Sequence, residues 1–169
     1  MALRGRGQAG SGNAPFVMHR MSADGPGVAN GARVAMMPPM LKTKSVHSPA
    51  SPDDGLRILA TRFRGRGLPA DRYDVWMANL GPSERLLKTV QSGGITWKQF
   101  AKRYRDELHA PAATDAGNAT IKNHGQKFTL RLIAWLAARG DVTLLCHCAE
   151  DAKECHRFLL QELIERETV

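Results

Sequence analysis

No apolar run in this 169-residue chain approaches the roughly 18 residues a membrane-spanning helix needs, because arginine or lysine interrupts each candidate. A soluble protein with no membrane partner is therefore expected. Cysteine is scarce: there are three, an odd number, all between positions 146 and 155, and none stands in a Cys-x-x-Cys pair. That excludes a disulfide framework. The chain also opens without the basic, apolar and cleavage regions of a secretory signal, so a reduced, cytoplasmic protein with free thiols is expected. Acidic residues are nearly absent from the first forty positions, where Arg4, Arg6, Arg20 and Arg33 stand against Asp24 alone. This stretch carries +3 of the formal net charge of +8 and leaves +5 for the remainder. A balance of that size suits anionic metabolites or plain solubility as well as it suits nucleic acid. There is no internal repeat and no heptad run.

Residues 1–40 are rich in Gly, Ala, Pro and Met and lack any helical or strand period, so a disordered extension is expected. Met36, Met37 or Met40 would serve as the working start. From Leu41 the composition changes, and residues 41–169 read as a single domain. Lys42–His47 has weak strand character. Ser48-Pro49-Ala50-Ser51-Pro52-Asp53-Asp54-Gly55 is a dense turn cluster, and Leu56–Thr61 reads as an interior strand. That strand ends in Arg62-Phe63-Arg64-Gly65-Arg66-Gly67, where backbone amides freed by glycine and converging guanidinium groups suit an anion; a solvated basic loop is the alternative.

Ser83 is a good N-cap for a helix over 84–91, and Thr96 with Gln99 forms a capping box for the next. Trp97, Phe100, Tyr104 and Leu108 recur at helical spacing and should face the core, with Lys98, Lys102, Arg103 and Arg105 on the solvated side. Residues 126–139 recover a helical period through Phe128, Leu132, Trp135 and Leu136. A strand over Val142–Leu145 follows.

That last strand runs into Cys146-His147-Cys148-Ala149-Glu150-Asp151-Ala152-Lys153-Glu154-Cys155-His156-Arg157, which gathers every cysteine at a strand-to-helix turn. Strand alternation, if the strand persists that far, puts Cys146 and Cys148 on one side and His147 on the other. Asp151 and Glu154 have the spacing of a capping box, predicting a helix from Ala152 with Cys155 in its first turn and its thiol pKa lowered. A buried core cysteine is the plain alternative. His147-Cys148 at a strand end resembles the cysteine phosphatases, whose thiolate needs an arginine six positions on; position 154 is glutamate, and that mechanism is rejected. Zinc held by Cys146, Cys148, Cys155 and His156 or His147 has suitable donors, but one residue separates the first pair where structural sites have two to four. A redox pair lacks its usual spacing.

Several spaced blocks resemble a known family. Ser51–Gly67 followed by Trp76 and Leu80-Gly81-Pro82-Ser83, then Trp97-x-x-Phe100-x-x-Arg103-Tyr104, and finally Cys148-Ala149-Glu150 with Cys155-His156-Arg157, are similar to the domain of unknown function 488 (DUF488, YeaO-like) family. The resemblance covers most of the chain from Lys42 onward. Family members often show Asp-Arg-Leu-Trp-Pro-Arg-Gly where this chain has Thr61, Phe63, Arg64 and Gly65. The resemblance implies a compact α/β domain and supplies no reaction, cofactor or catalytic set.

The expectation is an α/β fold with a small, largely parallel sheet flanked by helices. Cys148, Cys155 and His156 are the candidate catalytic groups, and Arg62, Arg66, Arg157 and Ser83 the candidate substrate-binding ones. An anionic small molecule or nucleotide is the expected ligand. No cofactor is predicted, with zinc as the minority alternative. A non-enzymatic nucleic-acid or protein interaction module, using the basic helix faces and arginine loop, is the competing reading.

Overall fold

Four short runs of β-branched and apolar residues align as one parallel sheet in the computed structural model, which describes residues 40–167 except 116, 119 and 121–123. The expected disordered extension and the candidate starts at Met36 and Met37 lie outside the described residues. The strands are β1 (Leu41–Ser45), β2 (Leu56–Leu59), β3 (Val75–Trp76) and β4 (Val142–Cys146), in the order β1-β4-β2-β3. The last strand in the chain thus lies between the first two. Its register runs from Leu41 opposite Val142 to Ser45 opposite Cys146 on one edge, and from Leu56 opposite Val142 to Leu59 opposite Leu145 on the other. All five β4 residues are buried, which is why they read as a continuous apolar run rather than an alternating one.

The helices α1 (Glu84–Gln91), α2 (Trp97–His109), α3 (Lys127–Ala137) and α4 (His156–Glu165) complete an α/β fold. Ile58, Val142 and Leu144 pack against Leu86, Phe100, Tyr104, Leu130, Ile133 and Leu160 in the main core. Each such side chain contributes about 1.5–3 kcal/mol by leaving water. A smaller cluster of Val46, Leu59, Leu68 and Leu145, with Tyr73 against it, forms a second core. Among the described residues no helix is long and apolar enough to cross a membrane.

Caps on α1 and α2 follow the sequence: Ser83 Oγ accepts from Leu86 N at 3.1 Å, and Thr96 and Gln99 exchange bonds as a capping box. The aromatic face of α2 is in the core as expected, with Trp97 and Phe100 stacked at 4.9 Å and Phe100 and Tyr104 at 5.9 Å. Helix α3 forms where its period predicts, while the start of α4 corrects an expectation. Helix α3 buries Leu130, Ile133 and Ala137 and leaves Phe128, Leu132 and Trp135 exposed. Both faces of this helix are apolar, so period alone does not choose between them. Helix α4 begins at His156, not Ala152, with Cys155 in extended backbone (φ −144°, ψ 140°) as its N-cap.

Arg157 explains the late start of α4. Its buried guanidinium donates to the carbonyls of Ala149 (3.0 Å) and Glu150 (2.8 Å), with a longer contact to Cys148 O at 3.4 Å. Residues 149–154 are thereby held as a loop wrapped around that side chain, and α4 starts only after the loop has closed over it. Replacing Arg157 with Met is expected to cost about 2–4 kcal/mol, since it removes the charge-assisted bonds by which a buried guanidinium holds the loop. Urea denaturation measures the loss, and hydrogen exchange at 148–154 should rise with it; unchanged protection in that segment would refute the role assigned to Arg157.

Asp54 ties the first turn to the sheet. Its carboxylate accepts from Ser51 N at 2.7 Å and Lys44 Nζ at 2.9 Å, while its carbonyl accepts from Thr143 Oγ1 at 2.6 Å. Burial pushes this carboxyl upward, but the bonds from Ser51 and Lys44 outweigh burial and hold it below its ordinary value of 3.8. Near 3.8 and just below, the unfolded chain binds the proton and the folded one does not. The stabilisation is therefore complete above that value and disappears as pH falls through the lower folded value. Asp54→Asn is expected to cost about 1–3 kcal/mol at neutral pH. Denaturation curves of the two proteins should converge on acidification, and a gap constant with pH would contradict this origin.

Candidate functional site

The carboxyl ends of β2 and β4 open into a crevice, the position where parallel sheets generally receive ligands. Two adjoining hollows occupy it. One, of about 210 Å³, is bounded by Arg62 and Phe63 after β2, Pro82 and Leu87 from the start of α1, and Cys148 and His156. The other, of about 240 Å³, is bounded by Val90, Trp97, Phe100 and Glu154, and again by Cys148 and His156. Both are shallow and largely apolar, and Cys148 lies where they meet. Thr61 bends the chain out of β2 by donating from Oγ1 to Phe63 O at 2.7 Å. Gly81 permits the wall to close, because a Cβ there would stand 2.2 Å from Arg62 N.

The three sulfurs are in contact. Cys155 Sγ is 3.4 Å from Cys146 Sγ, which is 3.5 Å from Cys148 Sγ. β4 ends at Cys146 and the chain bends at His147 and Cys148, so the Cys148 sulfur returns to Cys146 across a bend, whereas His147 meets His47 Nε2 at 3.5 Å and Arg64 O at 3.0 Å. Gly65, at φ +88°, lies against that imidazole and gives it room. His156 is buried and places Nε2 2.6 Å from Ala60 O and Nδ1 3.8 Å from Cys146 Sγ. A carbonyl only accepts, so Nε2 carries the proton and Nδ1 presents its lone pair to the sulfurs. Tyr104 lies edge-on to this imidazole at 5.7 Å and donates to Leu80 O at 2.6 Å.

Donor order within the cluster decides its electrostatics. Cys155 donates to Cys146, and Cys146 donates to Cys148. Contacts from Cys146 first and Cys155 second hold Cys148 far below the ordinary thiol value, against the opposing effect of burial. Cys146 is raised, through its bond to Cys148, the contact with Cys155 and burial. For Cys155, the contact with Cys146 lowers the value, but Cys148 and burial outweigh it and push the thiol up to about 11. That corrects the lowered value expected from a place in a first helical turn. Burial holds His156 below the usual imidazole range.

Of the candidate residues, Cys148, Cys155 and His156 are adjacent, and Arg62 lines the same hollow as Cys148. Arg62 is partly committed, donating from Nε to Pro82 O at 3.0 Å and from Nη2 to Gly81 O at 2.8 Å. Arg66 is exposed on its loop and lines neither hollow, and Arg157 serves the carbonyls of its own loop. Ser83 caps α1 and pairs with Glu107 through both Oγ and the backbone N–H, the latter at 2.8 Å. Sequence reasoning gave no site role to Tyr104 or to the wall formed by Leu87 and Gln91; no local signal tells that α1 will pack over the end of β4.

The DUF488-N3a family, described as the active DUF488-N3 subclade, matches residues 41–168. The chain is also similar to an uncharacterized protein of Mycobacterium bovis and to uncharacterized proteins of two strains of Mycobacterium tuberculosis, each 32% identical over 75 residues, or 43% of this chain. The match spans 64% of the length of each relative. No solved structure matches the chain. With a family match running from the first residue of β1 to beyond the end of α4, the chain belongs to the DUF488 family.

Proposed function

We propose that this domain is a thiol-dependent enzyme in which the Cys148 thiolate adds to an electrophilic, double-bonded carbon of an anionic small molecule, a carboxylate or nucleotide among the candidates, the C–S bond forming as the π electrons move onto the attached heteroatom. The observation that carries the reading is positional. Cys148 is the partly exposed sulfur of the three, lies where both hollows meet, and is the terminal acceptor in a chain of thiols beside a proton-accepting imidazole nitrogen. Carbon is favoured over phosphorus because Glu154, exposed at the rim of one hollow, stands where a phosphatase needs an arginine.

Arg62 supplies the cation for the ligand's anionic group, its Nη1 having no hydrogen bond among the described residues. His156 accepts a proton through Nδ1, and Cys146 and Cys155 support Cys148 from beneath. Arg157 acts indirectly, by fixing the loop that presents Cys148. The interaction-module reading is less favoured: Lys102 and Arg105 of the basic helix face are paired with Asp106 and Glu162, and the sulfur cluster has no part in it.

Iodoacetamide labelling of the native, reduced protein, followed by peptide mass spectrometry, tests this reading. Cys148 is expected to react at least about tenfold faster than Cys146 or Cys155. AMP is expected to slow that reaction, and Arg62→Gln to remove the protection; inorganic phosphate in place of AMP separates a nucleotide preference from a general anion preference. Equal labelling of all three thiols, or indifference to both anions, would overturn the proposal.

A further inference from the structure

The same sulfur cluster has a second property, independent of whether Cys148 is a nucleophile. Cys146 Sγ, Cys155 Sγ and His156 Nδ1 all lie within 4.8 Å of one another, and all three residues are buried. Their separations are 3.4 Å between sulfurs, and 3.8 and 4.0 Å from the sulfurs to the nitrogen. Zinc bonds of about 2.3 Å to sulfur and about 2.0–2.1 Å to nitrogen put the corners of a tetrahedron about 3.5–3.8 Å apart. The observed edges bracket that range. Cys148 Sγ, 3.5 Å from Cys146 Sγ and turned toward the hollows, lies outside that close group of three and becomes the fourth ligand by moving in toward them.

We infer that Cys146, Cys155, His156 and Cys148 form a binding site for a thiophilic divalent metal ion, zinc being the chemical type. The supporting shell is already in place. His156 donates from Nε2 to Ala60 O at 2.6 Å, the arrangement that fixes a metal-ligating imidazole with its other nitrogen toward the ion. Three thiolates, one neutral imidazole and a divalent ion leave one negative charge. Arg157, buried and contacting Cys148 O at 3.4 Å, is a cation available to offset it. Three sulfurs and one nitrogen favour zinc over magnesium or calcium, which take oxygen.

The unusual spacing has a structural cause. Ordinary zinc knuckles hold two cysteines two to four residues apart on one turn. Here Cys146 closes β4 and Cys148 follows it across a bend, with the two sulfurs 3.5 Å apart, while Cys155 and His156 arrive from the N-terminus of α4. The site therefore joins the end of the central strand to the start of the helix that follows it.

Cobalt(II) is the probe, added to the full-length protein after reduction with a phosphine and stripping with a chelator. One ion per chain is expected, with intense tetrahedral d–d bands and thiolate-to-metal charge transfer, displaced by zinc. Cys146→Ser and Cys155→Ser are each expected to weaken binding by about a hundredfold or more, whereas Cys148→Ser should retain a weaker site with fewer thiolates. Because the buried variants risk unfolding, wild-type protein supplies a second measure: zinc is expected to slow iodoacetamide labelling of Cys148 at least about tenfold. Folded wild-type protein that gives no charge-transfer band, or that binds zinc while Cys148 labelling is unchanged, overturns the inference. Selective labelling of the metal-free protein without metal uptake would leave the enzymatic proposal standing and remove this one.

Discussion

Everything near the crevice depends on β4 being hydrogen-bonded on both edges. A strand held between two parallel neighbours has no free backbone polar groups along its length, so it can be buried on both faces, and here every residue of it is. The chain leaving its carboxyl end must turn outward where β2 also ends. Cys146 thus remains sealed at the last paired position, whereas Cys148, two residues on, reaches the crevice. One physical circumstance gives two thiols of identical chemistry opposite environments.

The turn is then kept open by a charge. Arg157 is buried beneath its own loop and holds the carbonyls of Ala149 and Glu150, which curls residues 149–154 around it and delays the start of α4. A guanidinium suits this task because it is planar, permanently charged and presents several donors at once. The consequence reaches the sulfurs, because a later helix start leaves Cys155 in extended backbone, directed at Cys146. His156 follows immediately and is oriented by the Ala60 carbonyl at the end of β2. Neighbouring strands therefore hold the two sides of the cluster, which couples its geometry to the register of the sheet.

The proposed nucleophile and the proposed metal site share these atoms, and the two readings describe alternative states of one cluster. With no ion, the outermost sulfur is the one favoured to carry negative charge, because the contacts from Cys146 and Cys155 hold its pKa down. With an ion, the charge on all three sulfurs is compensated from within. Membership of the DUF488 family fixes neither state; Cys146, Cys155 and His156 are already close enough to share an ion, and Cys148 passes between the two states by moving.

Local patterns determined much of the chain. The apolar run of β4, the Ser83 cap, the Thr96–Gln99 capping box and the aromatic face of α2 were legible because each depends on neighbours within one turn or one strand. The gathering of reactive groups at the strand-to-helix turn was visible for the same reason. Tertiary structure decided what the patterns left degenerate. With apolar residues on both sides of α3, only the shape of the sheet and α4 could select Leu130 and Ile133 over Phe128 and Leu132. The capping-box spacing of Asp151 and Glu154 lost to the buried Arg157, a contact whose strength comes from desolvation that no sequence window records. Arg62 and Arg66, four residues apart on one loop, were separated because only Arg62 finds the carbonyls of Gly81 and Pro82 to hold it at the crevice.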